Sequence, residues 1–288
     1  MDDADGGSTE VLSPEDAFAL LGHDVRVSIV QALWEFDNEP ASFSELRDAV
    51  PITDSGQFNY HLGELVGVFV RETQEGYKLN YAGRSVVGAI LDGTYTKQRH
   101  VPEYDAGISC ATCGTELVAS YSESAFRIKC KECEQLVSRV DLPPGAVEGR
   151  DEGELIEMAS YWIRSKFFLI TNGICPNCAG TMEHSWSTDV EYEDHEFLLQ
   201  ADCEDCIDTA TATGMWAYAN HPAVVSFFYE HDIDLLANWW HRQLFAGGGE
   251  TRIRSRNPWR GVVRYAVGGD MLELVVDESC RVVTEERR

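Results

Sequence analysis

The feature that most constrains this chain is the pairing of its cysteines. Eight of the nine fall in four Cys-x-x-Cys pairs: Cys110 with Cys113, Cys130 with Cys133, Cys175 with Cys178, and Cys203 with Cys206. The pairs form two quartets of similar layout, with sixteen residues between the halves of the first and twenty-four between those of the second. Two such pairs present four thiolates tetrahedrally, the ligand set of a structural zinc site. Gly114, and Ala179 with Gly180, supply the small residues that a tight metal-binding turn needs. Strand-like runs at 124–130 and 196–201 lie between the pairs, so each quartet reads as a zinc ribbon, giving two zinc ions per chain. Disulfides are one alternative, disfavoured in a reducing compartment; an iron–sulfur cluster is another, though its cysteines usually have different spacing. Four protein ligands leave no open position for catalysis, so the expected role is to staple a segment too small to fold alone. Cys280 is left over and reads as a buried small hydrophobe.

The length of 288 residues suggests two to four domains, and the expected fold class is α+β multidomain. Residues 1–12 read as a disordered acidic tail. Ser13 then caps a helix with Pro14 in its first turn, and further helices are expected after Asp24, over 43–50, and over 55–66 behind Asp54. Phe58, Leu62 and Leu65 give the last of these one apolar face. Strand-like runs at 68–72 and 77–81, joined at Glu75 and Gly76, and a helix over 82–91 complete the order of a winged helix at 13–98. Beyond it the expected segments are ribbon 1 (105–145), a connecting helix (150–172), ribbon 2 (173–218) and a small α/β module (219–288).

The N-terminal segments also carry a family resemblance. Residues 21–33, from Leu21-Gly22-His23-Asp24 onward, resemble the opening helix of ArsR-type regulators. Phe43-Ser44-Glu45-Leu46 and Asn59-Tyr60-His61-Leu62 resemble their helix-turn-helix, and Gly76-Tyr77-Lys78-Leu79 stands where the family has its wing. The match covers about a third of the chain, and with the acidity the whole resembles the ArsR-like regulators of halophilic archaea. The family's metal-sensing cysteines on the third helix are missing from 43–50. The resemblance implies a DNA-binding transcriptional regulator, acting on double-stranded DNA as a homodimer, with Arg26 at the DNA backbone.

The residues say something similar. With Phe58, Leu62 and Leu65 turned inward, Ser55, Gln57, Asn59, Tyr60 and His61 are expected on or near the outer face of the 55–66 helix, as base or phosphate contacts. Arg71 and Lys78 on the two wing strands are candidate phosphate contacts. A solvated face is the bland alternative, but in a chain of net charge −26 such a face should be acidic, and this helix is uncharged between Asp54 and His61.

Net charge itself has two readings: an acidic protein that repels nucleic acid, or adaptation to molar salt. Acid is spread along the chain, and only Lys78, Lys97, Lys129, Lys131 and Lys166 are lysine, which favours salt adaptation. At about 1 M salt the Debye length is about 3 Å, so the acid would not repel DNA at range. Arg127, Lys129 and Lys131 alternate along the first ribbon as a cation stripe, either a further nucleic-acid contact or an internal partner for Glu132, Glu134 or the connecting helix. No lysine or arginine occurs from Phe167 through His241, so acidic ribbon 2 reads as scaffold, sensor or protein-contact surface instead. Arg252, Arg254, Arg256, Arg260 and Arg264 either pair with nearby carboxylates or form a second nucleic-acid contact. Trp216, Phe227, Phe228, Trp239, Trp240 and Phe245 read as core, dimer interface or an effector pocket.

A zinc-ribbon adaptor that binds proteins is the competing function. An enzyme is a third and weaker one, because no Gly-rich phosphate loop, open metal triad or nucleophile elbow is present. No apolar run approaches a membrane span and no signal peptide is seen, so a cytoplasmic location is expected.

Overall fold

The computed structural model describes residues 12–110, 112–190, 195–235 and 249–288, in two compact units, Met1–Lys97 and Gln98–Arg288. The acidic tail expected at 1–12 lies almost wholly outside the described residues, as do Trp239, Trp240 and Phe245.

In the N-terminal unit the local signals set the elements. Ser13 accepts a hydrogen bond from the Asp16 amide and starts α1 (Pro14–Leu21), and His23 Nδ1 caps α2 (Asp24–Trp34). A reciprocal capping box of Ser42 and Glu45 opens α3 (Phe43–Ala49), and Asp54 opens α4 (Ser55–Leu65) by accepting from the Gln57 amide at 2.8 Å. Strands β1 (Val70–Glu72) and β2 (Tyr77–Leu79) form an antiparallel hairpin, and α5 (Tyr81–Leu91) follows under an Asn80 cap. The hairpin is held by a bridge from Tyr77 to Ala41, and any Cβ at Gly76, whose φ is 144°, would collide with the Ala41 carbonyl. Ile29, Leu33, Leu46, Phe58, Leu62, Leu65 and Val87 fill the core.

The second unit carries three antiparallel sheets. Strands β3 (Val101–Ser109), β4 (Glu116–Ser122), β5 (Ala125–Cys130) and β6 (Leu136–Asp141) pair in chain order. A 20-residue helix, α6 (Glu152–Thr171), then packs Leu155, Ala159 and Ile163 against Tyr121, Phe126 and Ile128 of that sheet. Trp162 is exposed, because the buried stripe runs through 155, 159, 163 and 170 and leaves position 162 at its margin. Strands β7 (Met182–Ser187), β8 (Leu198–Cys203) and β9 (Thr209–Thr213) form the second sheet. Helices α7 (Gly214–Ala217) and α8 (Pro222–Tyr229) precede the third sheet: β10 (Gly249–Arg256), β11 (Trp259–Val267), β12 (Asp270–Asp277) and β13 (Val282–Arg287). Phe197 and Leu199, on and beside β8, share one core with Phe227, Phe228, Val263, Tyr265, Leu272 and Leu274. The division expected after residue 218 therefore runs through a common core. No helix among the described residues is long and apolar enough to cross a membrane.

Two glycines of α5 should respond in opposite senses to alanine. Helical Gly→Ala normally stabilises by about 1 kcal/mol. At Gly88 an added methyl would meet nothing within 4 Å, so Gly88→Ala should raise the unfolding midpoint of the first unit. At Gly83 the methyl would strike the Phe69 carbonyl, so Gly83→Ala should lower it. Denaturant unfolding of both variants checks this, and equal shifts would contradict the packing of α5 against Phe69.

Candidate metal centres and charged faces

All four cysteine pairs close in the same way. The amide of the first cysteine donates to the carbonyl five residues on: Cys110 to Thr115 (2.7 Å), Cys130 to Gln135 (3.0 Å), Cys175 to Gly180 (2.8 Å) and Cys203 to Asp208 (3.0 Å). Three of the turns need a left-handed residue four positions after the first cysteine, supplied by Gly114 (φ 76°), Glu134 (φ 55°) and Ala179 (φ 61°). The strands then bring the pairs together. Cys110 follows β3 and Cys130 ends β5, while Cys203 ends β8 opposite Met182 of β7.

Within each quartet the four sulfurs lie within 4.8 Å of one another. Cys110–Cys133 is 3.7 Å, Cys113–Cys130 3.4 Å and Cys113–Cys133 3.9 Å; in the second set Cys175–Cys206 is 3.7 Å and Cys178–Cys203 3.5 Å. A tetrahedral ion with metal–sulfur bonds of about 2.3 Å sets its sulfurs about 3.8 Å apart, whereas a disulfide requires about 2.05 Å. All of these cysteines are free thiols, and both quartets are suited to holding a metal ion.

The thiols titrate in opposite directions inside each quartet. Hydrogen bonds from Thr115 and then Cys130 draw Cys113 down to about 6. The Gln135 amide also favours the Cys133 thiolate, but the facing thiols Cys130, Cys110 and Cys113 outweigh it and push Cys133 up to about 12. In the second set the Asp208 amide and Asn177 side chain lower Cys206 to about 7. The Gly180 amide is outweighed at Cys178 by Cys203 and Cys206, which raise it to about 12. Four thiolates this close need a cation among them. Backbone amides also point at sulfur, Asn177 to Cys175, Gly180 to Cys178 and Asp205 to Cys203, each at 3.4 Å. Asn177 and Asp208 belong to this second layer; the sequence reading does not single them out, although both stand within two residues of a ligand.

The N-terminal unit places the expected contact residues unequally. Ser55, Gln57, Asn59 and Tyr60 are exposed on α4. His61 is not: it is 8% exposed, with its ring 4.2 Å from that of His23. This corrects the outward placement, since position 61 lies one residue before Leu62 and three after Phe58, inside the angular range of the apolar face. Arg26 is half-buried, and its Nε has no hydrogen-bond partner. Arg71 and Lys78 are directly opposite each other across the β1–β2 hairpin.

The other cations of interest are mostly engaged. Arg127 donates to the Ser122 carbonyl at 3.0 Å and lies 3.7 Å from Glu123, and Lys129 pairs with Glu103 at 2.5 Å. Those partners are not the expected Glu132 and Glu134, because β3, unread in the sequence, brings Glu103 across the sheet. Lys131 lies just beyond β5 and is exposed. In the third sheet Arg252 pairs with Glu250 (3.0 Å), Arg254 with Glu286 (3.7 Å), and Arg264 with Glu250 and Glu273, while Arg260 donates to the Trp259 carbonyl. The carboxylate-pairing alternative thus holds for Arg252, Arg254 and Arg264; Arg256 is exposed. Cys280 is half-buried beside the second core, and burial pushes its thiol up to about 12.

Residues 107–282 match the family described as Domain of unknown function (DUF7351). The chain belongs to that family. A second match, to Domain of unknown function (DUF7347), spans residues 14–90. The two matches fall in different compact units, and the DUF7351 span contains both cysteine quartets. Neither is the ArsR-type family that the N-terminal segments resemble. Comparison with curated proteins and with solved structures gives no match.

Purified without added metal, the chain should carry about two metal ions by elemental analysis, from the four-ligand stoichiometry of each quartet. Cys110→Ser should reduce this to about one while leaving the N-terminal unit folded; a count of two in that variant would remove the first site. A second outcome concerns pH. Burial, then the charges of His23 and Arg26, hold His61 below its ordinary value of 6.5. The folded form binds fewer protons there, so this contribution is complete above about pH 6.5 and is lost as pH falls through the lowered folded value. Thermal unfolding of the first unit should therefore weaken on acidification in that window, and His61→Phe should flatten the dependence.

Proposed function

We propose that the chain is a non-enzymatic, sequence-specific transcriptional regulator that binds double-stranded DNA through a winged helix-turn-helix. In this reading α3 and α4 are the helix-turn-helix, α4 is the recognition helix, and the β1–β2 hairpin is the wing. The observation that carries it is a contrast of charge. In a chain of net charge −26, the first two turns of α4 expose Ser55, Gln57, Asn59 and Tyr60, and the one carboxylate of the helix, Glu64, stands a turn further on. On the hairpin, Arg71 and Lys78 stand opposite each other, with no ion pair to either among the described residues. Like charges directly opposite on a hairpin are destabilising and favour an external anion. Gln57 and Asn59 suit adenine, Arg71 and Lys78 suit phosphate, and Arg26 is a further backbone contact.

The two quartets hold zinc, which staples the second unit. The protein acts as a homodimer whose recognition helices enter successive major grooves; the exposed Phe18, Leu91 and Tyr95 of the first unit are apolar surface for such a contact. Its setting is the cytoplasm of a high-salt cell.

A second reading, an adaptor that binds proteins, draws on one feature. Ile207, in the turn after Cys206, is 97% exposed and flanked by Glu204, Asp205 and Asp208. An apolar tip in an acidic rim suits a basic protein surface.

Footprinting in high salt, with targets first found by chromatin immunoprecipitation, separates the two. Gln57→Ala should cost about 1–3 kcal/mol at its cognate base pair and relax preference there. Arg71→Ala should weaken all sequences about equally. Absence of sequence-selective retention favours the adaptor, and identical behaviour of the two variants overturns the assigned roles.

A further inference from the structure

The N-terminal unit contains a cavity of about 590 Å³ that takes no part in the DNA-facing surfaces. It is lined by Leu33 and Trp34 at the end of α2, Asp37 and Asn38 in the turn after it, Leu79 of β2 and Arg84 of α5. The volume is that of a small-molecule site, and its make-up is the usual one: an apolar base with a few polar groups at the rim. Leu33 and Leu79 are buried and form the base, while Trp34 is 40% exposed.

The rim is unusual in two ways. Asp37 and Asn38 are consecutive non-glycine residues with positive φ, 51° and 67°. That conformation is tolerated by Asp and Asn but still costs about 1 kcal/mol or more each when not Gly, and it recurs where polar groups are aimed at a ligand. In addition, Asp37, Asn38 and Arg84 are all exposed, and none of the three side chains has a hydrogen bond or ion pair among the described residues. In a protein where most arginines are tied to a carboxylate or carbonyl, a carboxylate and a guanidinium line the same cavity without meeting.

We propose that this cavity binds a small zwitterion with an apolar side chain, of the class of a free aromatic or branched amino acid. Its ammonium group is held by the Asp37 carboxylate and the Asn38 amide oxygen. Its carboxylate is held by the Arg84 guanidinium, and its side chain lies on Trp34, Leu33 and Leu79. Each charged group of the ligand answers one unpaired group of the rim, and a ligand lacking either forgoes that charge-assisted contact.

Calorimetric titration of the full chain tests this with four probes: L-phenylalanine, L-leucine, phenylacetate without the ammonium, and phenethylamine without the carboxylate. The expected result is saturable one-to-one binding of both amino acids, with each truncated probe weaker by about tenfold or more. Arg84→Ala should weaken phenylalanine by a similar factor and leave phenethylamine unchanged; Asp37→Asn should weaken phenylalanine and leave phenylacetate unchanged. Both side chains are exposed, and unchanged far-UV circular dichroism verifies that the variants fold. No saturable binding of either amino acid overturns the proposal. So does phenylacetate or phenethylamine binding as tightly as phenylalanine, or a phenylalanine affinity indifferent to both substitutions. The titration contains no DNA, so its failure leaves the regulator reading where it stood, and failure of that reading leaves the cavity's chemistry intact.

Discussion

Four sulfurs within 4.8 Å of one another, twice over, are the constraint on which the second unit depends. Each quartet ties a loop to a strand end: Cys110 to Cys130 closes β3 onto β5, and Cys175 to Cys203 closes the end of α6 onto β8. The thiols are poised unevenly, with Cys113 and Cys206 near neutrality and Cys133 and Cys178 near 12. A divalent cation removes that conflict by making every sulfur a thiolate, and metal binding then becomes folding free energy. The cores on either side extend from these ties. Tyr121, Phe126 and Ile128 pack on α6, and Phe197 and Leu199 pack on the last sheet.

Charge is managed differently in the two units. In the second, Arg99, Lys129, Arg139, Arg252, Arg254, Arg264, Arg281, Arg287 and Arg288 each pair with a carboxylate. The exposed pairs among them contribute about 0–1 kcal/mol each, so they do not account for the fold, while Arg264 and Arg281 answer the buried carboxylates of Glu273 and Asp277. What they do is use up cations. The sheet that carries Arg127 and Lys129 has therefore little free positive charge to offer a phosphate backbone. In the first unit Arg71, Lys78 and Arg84 are left without such partners among the described residues, and they lie on the hairpin and at the cavity, where an anionic group has access.

The sequence is most legible where one local interaction decides the outcome. The caps at Ser13 and Asp54 and the period-3.6 stripe of α4 locate helices within a few residues. The cysteine pairs locate both quartets, because consecutive pairs joined by short strand-like runs are the ones that converge. Legibility fails where tertiary context decides. Strand β3 contains Pro102 and Gly107 and pairs irregularly with β4, β9 is a bare alternation of Thr and Ala, and β13 is largely charged, so none has the apolar run of an isolated strand signal. Each is an edge strand, held by a neighbour. His61 departs from expectation for a related reason. Its polarity suggests solvent, but its angular position beside Phe58 and Leu62 puts the ring against His23.

The two quartets differ in what surrounds them. Around the first, Thr115 bonds to Cys113, and Thr112 donates to Gln135 across the site. Around the second, Asp208 Oδ2 lies 3.6 Å from Cys175 Sγ, with the thiol as donor. Once that thiol ionises, the same contact sets carboxylate against thiolate, a repulsion that only a positive ion between the sulfurs offsets. An ion held in the second quartet would therefore balance an additional negative charge, and the fold around it would rely more heavily on that ion than the fold around the first. The packing agrees with this. Cys110 and Cys130 sit in the large first core, whereas Cys175, Cys203 and Cys206 pack with only Ile170, Met182, Ala201 and Ala210. The first quartet lies within the main core of its sheet, whereas the second sits in a small cluster apart from the large core that Leu199 of the same sheet joins.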